Sequence, residues 1–258
     1  MKVVIIGTGN VATVVGKLIV SKGHSIVEVV GRNNLTTQLL AQVLDAKPNN
    51  DLKTINPNAD LYIIAVADNA IKAIAEELRL ENKLVVHTAG SVAIGKLKAS
   101  SNLYGVLWPL QTIRKEVITT PMIPFVIDAN TQSAYQLLHA FASTLSNQIK
   151  MANDEKRVKM HLAAVVVSNF SNHLFALAND YCKQEALDFS MLLPLMQETI
   201  EKIKHHQPHS VQTGPAVRND TITIAKHEDL LQQHQSLQHL YKELSDSIIS
   251  YQEKTTIK

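Results

Sequence analysis

The chain has 258 residues, 45% of them apolar and 19% charged, enough for two modest domains with packed cores. A net charge of +2 gives no electrostatic reason to expect a nucleic acid or an anionic membrane as partner. Cys182 is the only cysteine, which excludes an intrachain disulfide and a multi-cysteine zinc site and fits a reducing, cytoplasmic compartment.

The first 150 residues alternate short apolar runs with polar, helix-like stretches. Strands are expected at 3–6, 25–30, 61–67 and 84–87, and helices at 11–21, 35–44 and 69–79. Runs apolar on both faces fit a parallel sheet covered on two sides, and the alternation implies βαβ units. Further strands are expected at 103–107, 125–127 and 148–151, with a helix at 131–145 and a proline-bearing loop (Pro109, Pro121, Pro124) between. The N-terminal apolar run is too short for a signal peptide. After Met151 the pattern is helical: 154–181, 188–204 with a kink at Pro194, 216–226 and 237–251. The fold class expected is therefore α/β, a mostly parallel sheet over 1–151 followed by an all-α domain over 152–258. The apolar run at 163–167 is short and flanked by His161 and Asn169, so no segment is expected to span a membrane. The 11 histidines have no metal-ligand spacing, and no metal is expected.

Gly7-Thr8-Gly9-Asn10-Val11-Ala12 matches G-x-G-x-x-A directly after a strand and at the start of a helix. Gly7 permits the tight turn, Gly9 lets backbone approach a pyrophosphate, and Ala12 lets helix and strand pack closely. This is the fingerprint of a Rossmann dinucleotide domain. The second strand ends Val29-Val30-Gly31-Arg32-Asn33. Where an NAD enzyme usually carries an acid for the ribose 2′-hydroxyl, Arg32 suits a 2′-phosphate. NADP is expected over NAD, with Glu28 as the competing residue and a solvated arginine as the other reading of Arg32. Ala65, Val66 and Ala67 should line the cofactor path. Asp68 should cap the next helix. His87 stands where the nicotinamide should rest, as a proton donor or hydrogen-bond partner, or as a buried histidine satisfied by backbone.

At 100° per residue, His161, Val165, Ser168, Asn172 and Asn179 share a stripe, with Asn169 and His173 beside it. The stripe reads as a cleft or as a helix–helix hydrogen-bond network. In residues 212–220, Pro215 suits a first helical turn with Thr213 or Gly214 as cap. Arg218 either holds a substrate carboxylate, or pairs with Asp220 or caps a neighbouring helix.

His87-Thr88-Ala89-Gly90-Ser91, Trp108-Pro109-Leu110-Gln111-Thr112, His161-Leu162-Ala163-Ala164, Ser168-Asn169-Phe170-Ser171-Asn172-His173 and Gln212-Thr213-Gly214-Pro215-Ala216-Val217-Arg218-Asn219-Asp220 occur in that order. With these motifs the chain resembles bacterial proteins that join a Rossmann-like domain to a helical domain of unknown function, DUF2520. It is similar, more distantly, to ketopantoate reductases, pyrroline-carboxylate reductases, β-hydroxyacid dehydrogenases and F420-dependent NADP reductases. The resemblance implies an NADP oxidoreductase whose helical domain dimerises and closes the site. β-Hydroxyacid dehydrogenases and ketopantoate reductases carry a catalytic lysine in this region. Here Lys156 and Lys159 precede the polar stripe without entering its centre. The expected function is reduction of a small keto acid or imine. His161 is the expected proton donor, His87 the second choice, and Ser168 and Asn172 orient the substrate. Thr88, Gly90, Ser91, Asn169, Thr213, Arg218 and Asn219 are expected to bind it. The alternatives are a non-catalytic NADP-binding regulator and a dimeric scaffold with a vestigial glycine turn. The apolar helical half predicts a homodimer.

Overall fold

In a computed structural model, residues 1–116 and 122–256 are described; Pro121 of the expected proline loop lies outside them. The chain divides into two compact units, Met1–Val167 and Ser168–Lys258.

The first unit is an eight-stranded sheet in the order β3-β2-β1-β4-β5-β6-β7-β8. The strands are β1 (Lys2–Ile6), β2 (Ser25–Val30), β3 (Lys47–Asn49), β4 (Leu61–Ile64), β5 (Leu84–His87), β6 (Leu103–Pro109), β7 (Phe125–Ala129) and β8 (Ile149–Met151). All neighbours run parallel except β6 and β7. Alternation along β1 explains the two cores. Val3 and Ile5 pack on one face with Ala12, Val15 and Ile19 of α1 (Asn10–Ser21), with Leu40 and Ala41 of α2 (Asn34–Val43), and with Leu138 and Phe141 of α4 (Gln132–Leu145). Val4 and Ile6 pack on the other with Ile71 and Ala75 of α3 (Ile71–Glu77). Strands apolar on both faces are the sequence mark of a sheet covered twice.

Most expected elements stand within a residue or two of their places. The edge strand β3 is not among them: Lys47-Pro48-Asn49 carries a proline that cannot donate to a ladder, which only a sheet edge tolerates. Strand β4 stops at Ile64 rather than at 67, and a 3₁₀ turn, Asp68–Ala70, precedes α3.

The first unit runs past residue 151 because α5 (Asp154–Ala164) packs on the sheet. Its Met160 meets the cluster of Val106, Trp108, Val126 and Ala152. The helix continues through a π-helical segment, Val165–Phe170, into α6 (Ser171–Gln184). Six residues with i→i+5 bonding insert about one extra residue. The uniform 100° count that aligned His161 with Ser168 and Asn172 therefore does not hold. The expectation that no segment approaches a membrane span is also corrected. Helix 154–184 is long and apolar enough by length and composition, with a mean hydropathy of 1.2 in an 18-residue window that is unburied. The run at 163–167 understated it because the apolar stretch continues beyond Asn169.

The second unit contains α6, α7 (Leu193–His205), α8 (Thr221–Leu230) and α9 (Gln235–Thr256). Pro194 does not kink a helix; it stands in the first turn of α7, where the missing N–H costs nothing. Helix α8 starts later than expected. Asp220, not Thr213 or Gly214, accepts the capping bond from Thr223 N (3.1 Å), and residues 215–220 form the turn before it.

Candidate functional site

Gly7 follows β1 at the point where strand order reverses, with β2 on one side and β4 on the other. Its φ is +125°, and a Cβ there would collide with the Ala65 carbonyl oxygen. Only glycine makes this turn. Gly9 differs: a Cβ there meets nothing within 4 Å. Gly9 caps α1 without a side-chain acceptor, and the first-turn residues Asn10 and Val11 line a cleft with it. First-turn amides lack intrahelical acceptors and attract anions. Ala12 is buried behind them at 1% exposure, which is the close helix–strand packing expected of it.

The turn opens on a cleft of about 1350 Å³. Gly7, Thr8, Gly9, Asn10, Val11, Arg32, Asn33, Ala65, Val66 and Ala67 all line it. Thr8 Oγ1 stands 3.1 Å from Thr36 Oγ1, which ties the turn to α2. Asn33 uses its Oδ1 to accept from Thr36 N at 3.0 Å, capping α2. The sequence reading missed Asn50, Asp51 and Leu52, which follow the unexpected β3, and Glu77 of α3. Asn50 Nδ2 donates to the Gly31 carbonyl at 2.6 Å.

Glu28 and Arg32 separate clearly. Glu28 is 2% exposed and accepts from Asn49 Nδ2 (3.1 Å) and Asn56 N (2.8 Å). It does not line the cleft. Arg32 is exposed at the cleft edge and has no ion-pair partner among the described residues. The residues present fit a dinucleotide: a capless helix N-terminus for phosphates and a free guanidinium beyond β2.

A second cluster gathers at the ends of β5 and β6. His87 is fully buried, and its Nδ1 accepts from Ala89 N at 3.2 Å. Burial, with the nearby Arg157 guanidinium, lowers its pKa to about 4. His87 is thus held neutral, with Nδ1 bonded to backbone and Nε2 buried without a hydrogen-bond partner among the described residues. Thr88 is buried. Ser91 Oγ donates to Asp68 Oδ2. Asp68 therefore bonds across strand ends, and Ala67 holds the cap position assigned to it, without a side-chain cap bond. His161 of α5 is half-buried, with its ring 5.8 Å from that of Trp108. A Cβ on Gly90 would lie 2.8 Å from His161 Cδ2 and 2.7 Å from Trp108 Cε2, so three separate motifs meet where only glycine fits.

Arg157, one turn before His161, was not singled out from sequence. It is fully buried. Its Nη2 donates to Val92 O (2.5 Å) and to Asp154 Oδ1 (2.6 Å), and its Nη1 lies 3.9 Å from Asp128 Oδ2. Burial raises the Asp128 pKa, with Arg157 opposing it. Lys156 is exposed, and Lys159 pairs with Glu155 in water.

The remaining candidates belong to the second unit. Ser168 and Asn169 lie in the π-helical segment and Asn172 on α6. Thr213 borders a small apolar groove of about 230 Å³. Arg218 is exposed, and Asn219 adopts φ +49°, which asparagine tolerates.

Two family models match the chain, and the second crosses the boundary between the two compact units. Residues 2–90 match the family described as NADP oxidoreductase, coenzyme F420-dependent, and residues 123–248 match DUF2520. BF3122 from Bacteroides fragilis, provisionally described as an NADP oxidoreductase, is 39% identical, over 96% of this chain and 98% of its own, with a TM-score of 0.88. The chain belongs to this NADP oxidoreductase family. No curated protein matches it in sequence. Two more distant structures share the fold. The 1-pyrroline-5-carboxylate reductase of Streptococcus pyogenes is 13% identical with a TM-score of 0.64, over 97% of this chain and 98% of that one. The reductive aminase of Aspergillus terreus, in complex with NADPH and ethyl levulinate, is 15% identical with a TM-score of 0.71, over 97% and 94%.

Proposed function

We propose that this oxidoreductase is an NADPH-dependent reductase of a small keto acid or imine. The observation that carries the reading is the capless turn Gly7–Ala12 at the sheet's reversal point, opening on a cleft with Arg32 free at its rim and Glu28 occupied elsewhere. Bound there, NADPH would supply a hydride to the substrate carbon. The α1 amides would hold its diphosphate, and Arg32 would meet the 2′-phosphate. His161 donates the proton that the carbonyl oxygen or imine nitrogen takes up as the double bond is reduced. Its ring lies against Trp108 and Gly90. The carbonyl–imine choice draws on the two fold relatives, whose own descriptions name an imine-type and an amination chemistry.

We propose further that the protein acts in the cytoplasm as a homodimer through its helical half. The apolar helix 154–184 supports cover by protein over a lipid span. It carries Ser168, Asn169, Asn172, His173 and Asn179, and polar side chains inside a bilayer are costly.

Arg32→Ala tests the cofactor. NADPH affinity should fall about tenfold or more, or roughly 1.4 kcal/mol, and NADH affinity little. Equal losses would overturn the 2′-phosphate assignment. Oxidation of NADPH against a panel of keto acids and cyclic imines tests the reaction. Tight binding without turnover would make the protein a dinucleotide sensor instead.

A further inference from the structure

Helix α5 touches the sheet through one ridge: Asp154, Arg157, Met160 and His161, at helical spacings of three and four. The middle of that ridge is polar and buried. Arg157 grips the Val92 carbonyl, while Asp154 Oδ1 accepts from both Arg157 Nη2 and the Ile94 amide at 3.0 Å. The loop after Gly90 is thus held at a carbonyl and at an amide two residues on, by two side chains of one helical turn. One turn further along, His161 lies against Gly90, at the start of that same loop, and against Trp108.

We propose that Arg157 and Asp154 are positioning residues that fix the loop 90–94 to α5 and thereby hold the His161 ring on Gly90 and Trp108. The placement is tight enough for this to matter, because the Gly90 site leaves no room for a methyl group. A misplacement of 1 Å at a reacting group costs about 100-fold in rate. The proposal rests on the reductase reading only for its consequence in catalysis.

Trp108 is the chain's only tryptophan, so its fluorescence reports this contact without any substrate. A histidine ring in contact with an indole quenches its emission. In the full-length protein, His161→Gln should therefore raise Trp108 emission, and the quenching it relieves is the amplitude of the contact. The other ionisable groups around the cluster are His87, Asp68 and Asp128, all unaltered in these variants. Arg157→Met should lose most of that quenching amplitude and keep its NADPH affinity. Arg157→Lys keeps the charge but not the two-armed reach, and should fall between. Should Arg157→Met fail to fold, Asp154→Ala gives the same readout, since that carboxylate is 41% exposed and its loss leaves the core filled.

Full wild-type amplitude in a folded Arg157→Met or Asp154→Ala protein overturns the proposal, whatever the turnover. Lost amplitude with unchanged NADPH oxidation keeps the positioning role and removes His161 from the chemistry. Lost amplitude with kcat down about 100-fold and KM little changed supports both.

Discussion

The sheet unit buries both faces of its parallel strands, whereas the helical unit leaves most of its apolar side chains in water. Across β1, β4 and β5 nearly every side chain is below 5% exposed. Among the described residues from Ser168 onward, only Cys182, Ala216, Leu231 and Ser245 are buried, while Met191 is 75% and Ile222 83% exposed. Monomeric proteins rarely leave large contiguous apolar areas uncovered. The first unit carries the cleft at Gly7 wholly within it. The second leaves apolar helix faces uncovered in the single chain.

The largest effects should come from the first unit, where the backbone has no slack. Gly7→Ala puts a Cβ into the Ala65 carbonyl at a φ that L-residues avoid. It should cost about 4 kcal/mol or more, in the range of the most damaging single substitutions, read by urea denaturation. Gly9→Ala is its counterpart. The methyl group meets only open space, so stability should change by no more than about 0.5 kcal/mol. NADPH should nonetheless cease to raise the melting temperature, because a ligand that no longer binds the native state cannot stabilise it. A Gly9→Ala protein that still gains stability from NADPH would place the pyrophosphate elsewhere.

Those glycines were legible in the sequence because a backbone constraint leaves one residue type. The same holds for the twice-covered strands, whose apolar runs have no alternative reading. What stayed hidden has physical causes too. Strand β3 is a three-residue edge with a proline, and its sequence resembles a loop. The π-helical segment follows from no periodicity that Val165-Val166-Val167-Ser168 displays. Arg157 sits in Asp154-Glu155-Lys156-Arg157-Val158-Lys159, a run that reads as a solvated face, and only the docking of α5 buries it. His87 was visible as a strand-end histidine, but its burial, and so its neutrality, depends on what packs over it.

That neutrality gives the next effect in size. The folded pKa of His87, about 4, lies below the ordinary 6.5, so the unfolded chain takes up the proton first. Stability from this group is complete above pH 6.5 and is lost as pH falls toward 4. The loss should approach about 3 kcal/mol over that window. His87→Gln should flatten this part of the pH–stability curve, measured as urea midpoints between pH 4 and 7. A wild-type curve as flat as the variant's would mean that His87 is charged, and that the strand-end cluster is wetter than its burial implies.

The smallest effect on folding, and the sharpest test of the contrast between the units, lies on the helical surface. Phe170 and Met191 are 57% and 75% exposed in the single chain. Phe170→Asp and Met191→Asp should each change that chain's own stability by about 0.5 kcal/mol or less, as exposed substitutions do. In a homodimer the same changes bury an unpaired charge at an apolar contact, which costs several kcal/mol. Light scattering at micromolar concentration should therefore give a dimer mass for the wild type and a monomer mass for the variants, with NADPH affinity retained because the cleft lies wholly in the first unit. A wild-type monomer would leave the exposed apolar helices to some other cover, and the homodimer reading would fall while the dinucleotide assignment stood.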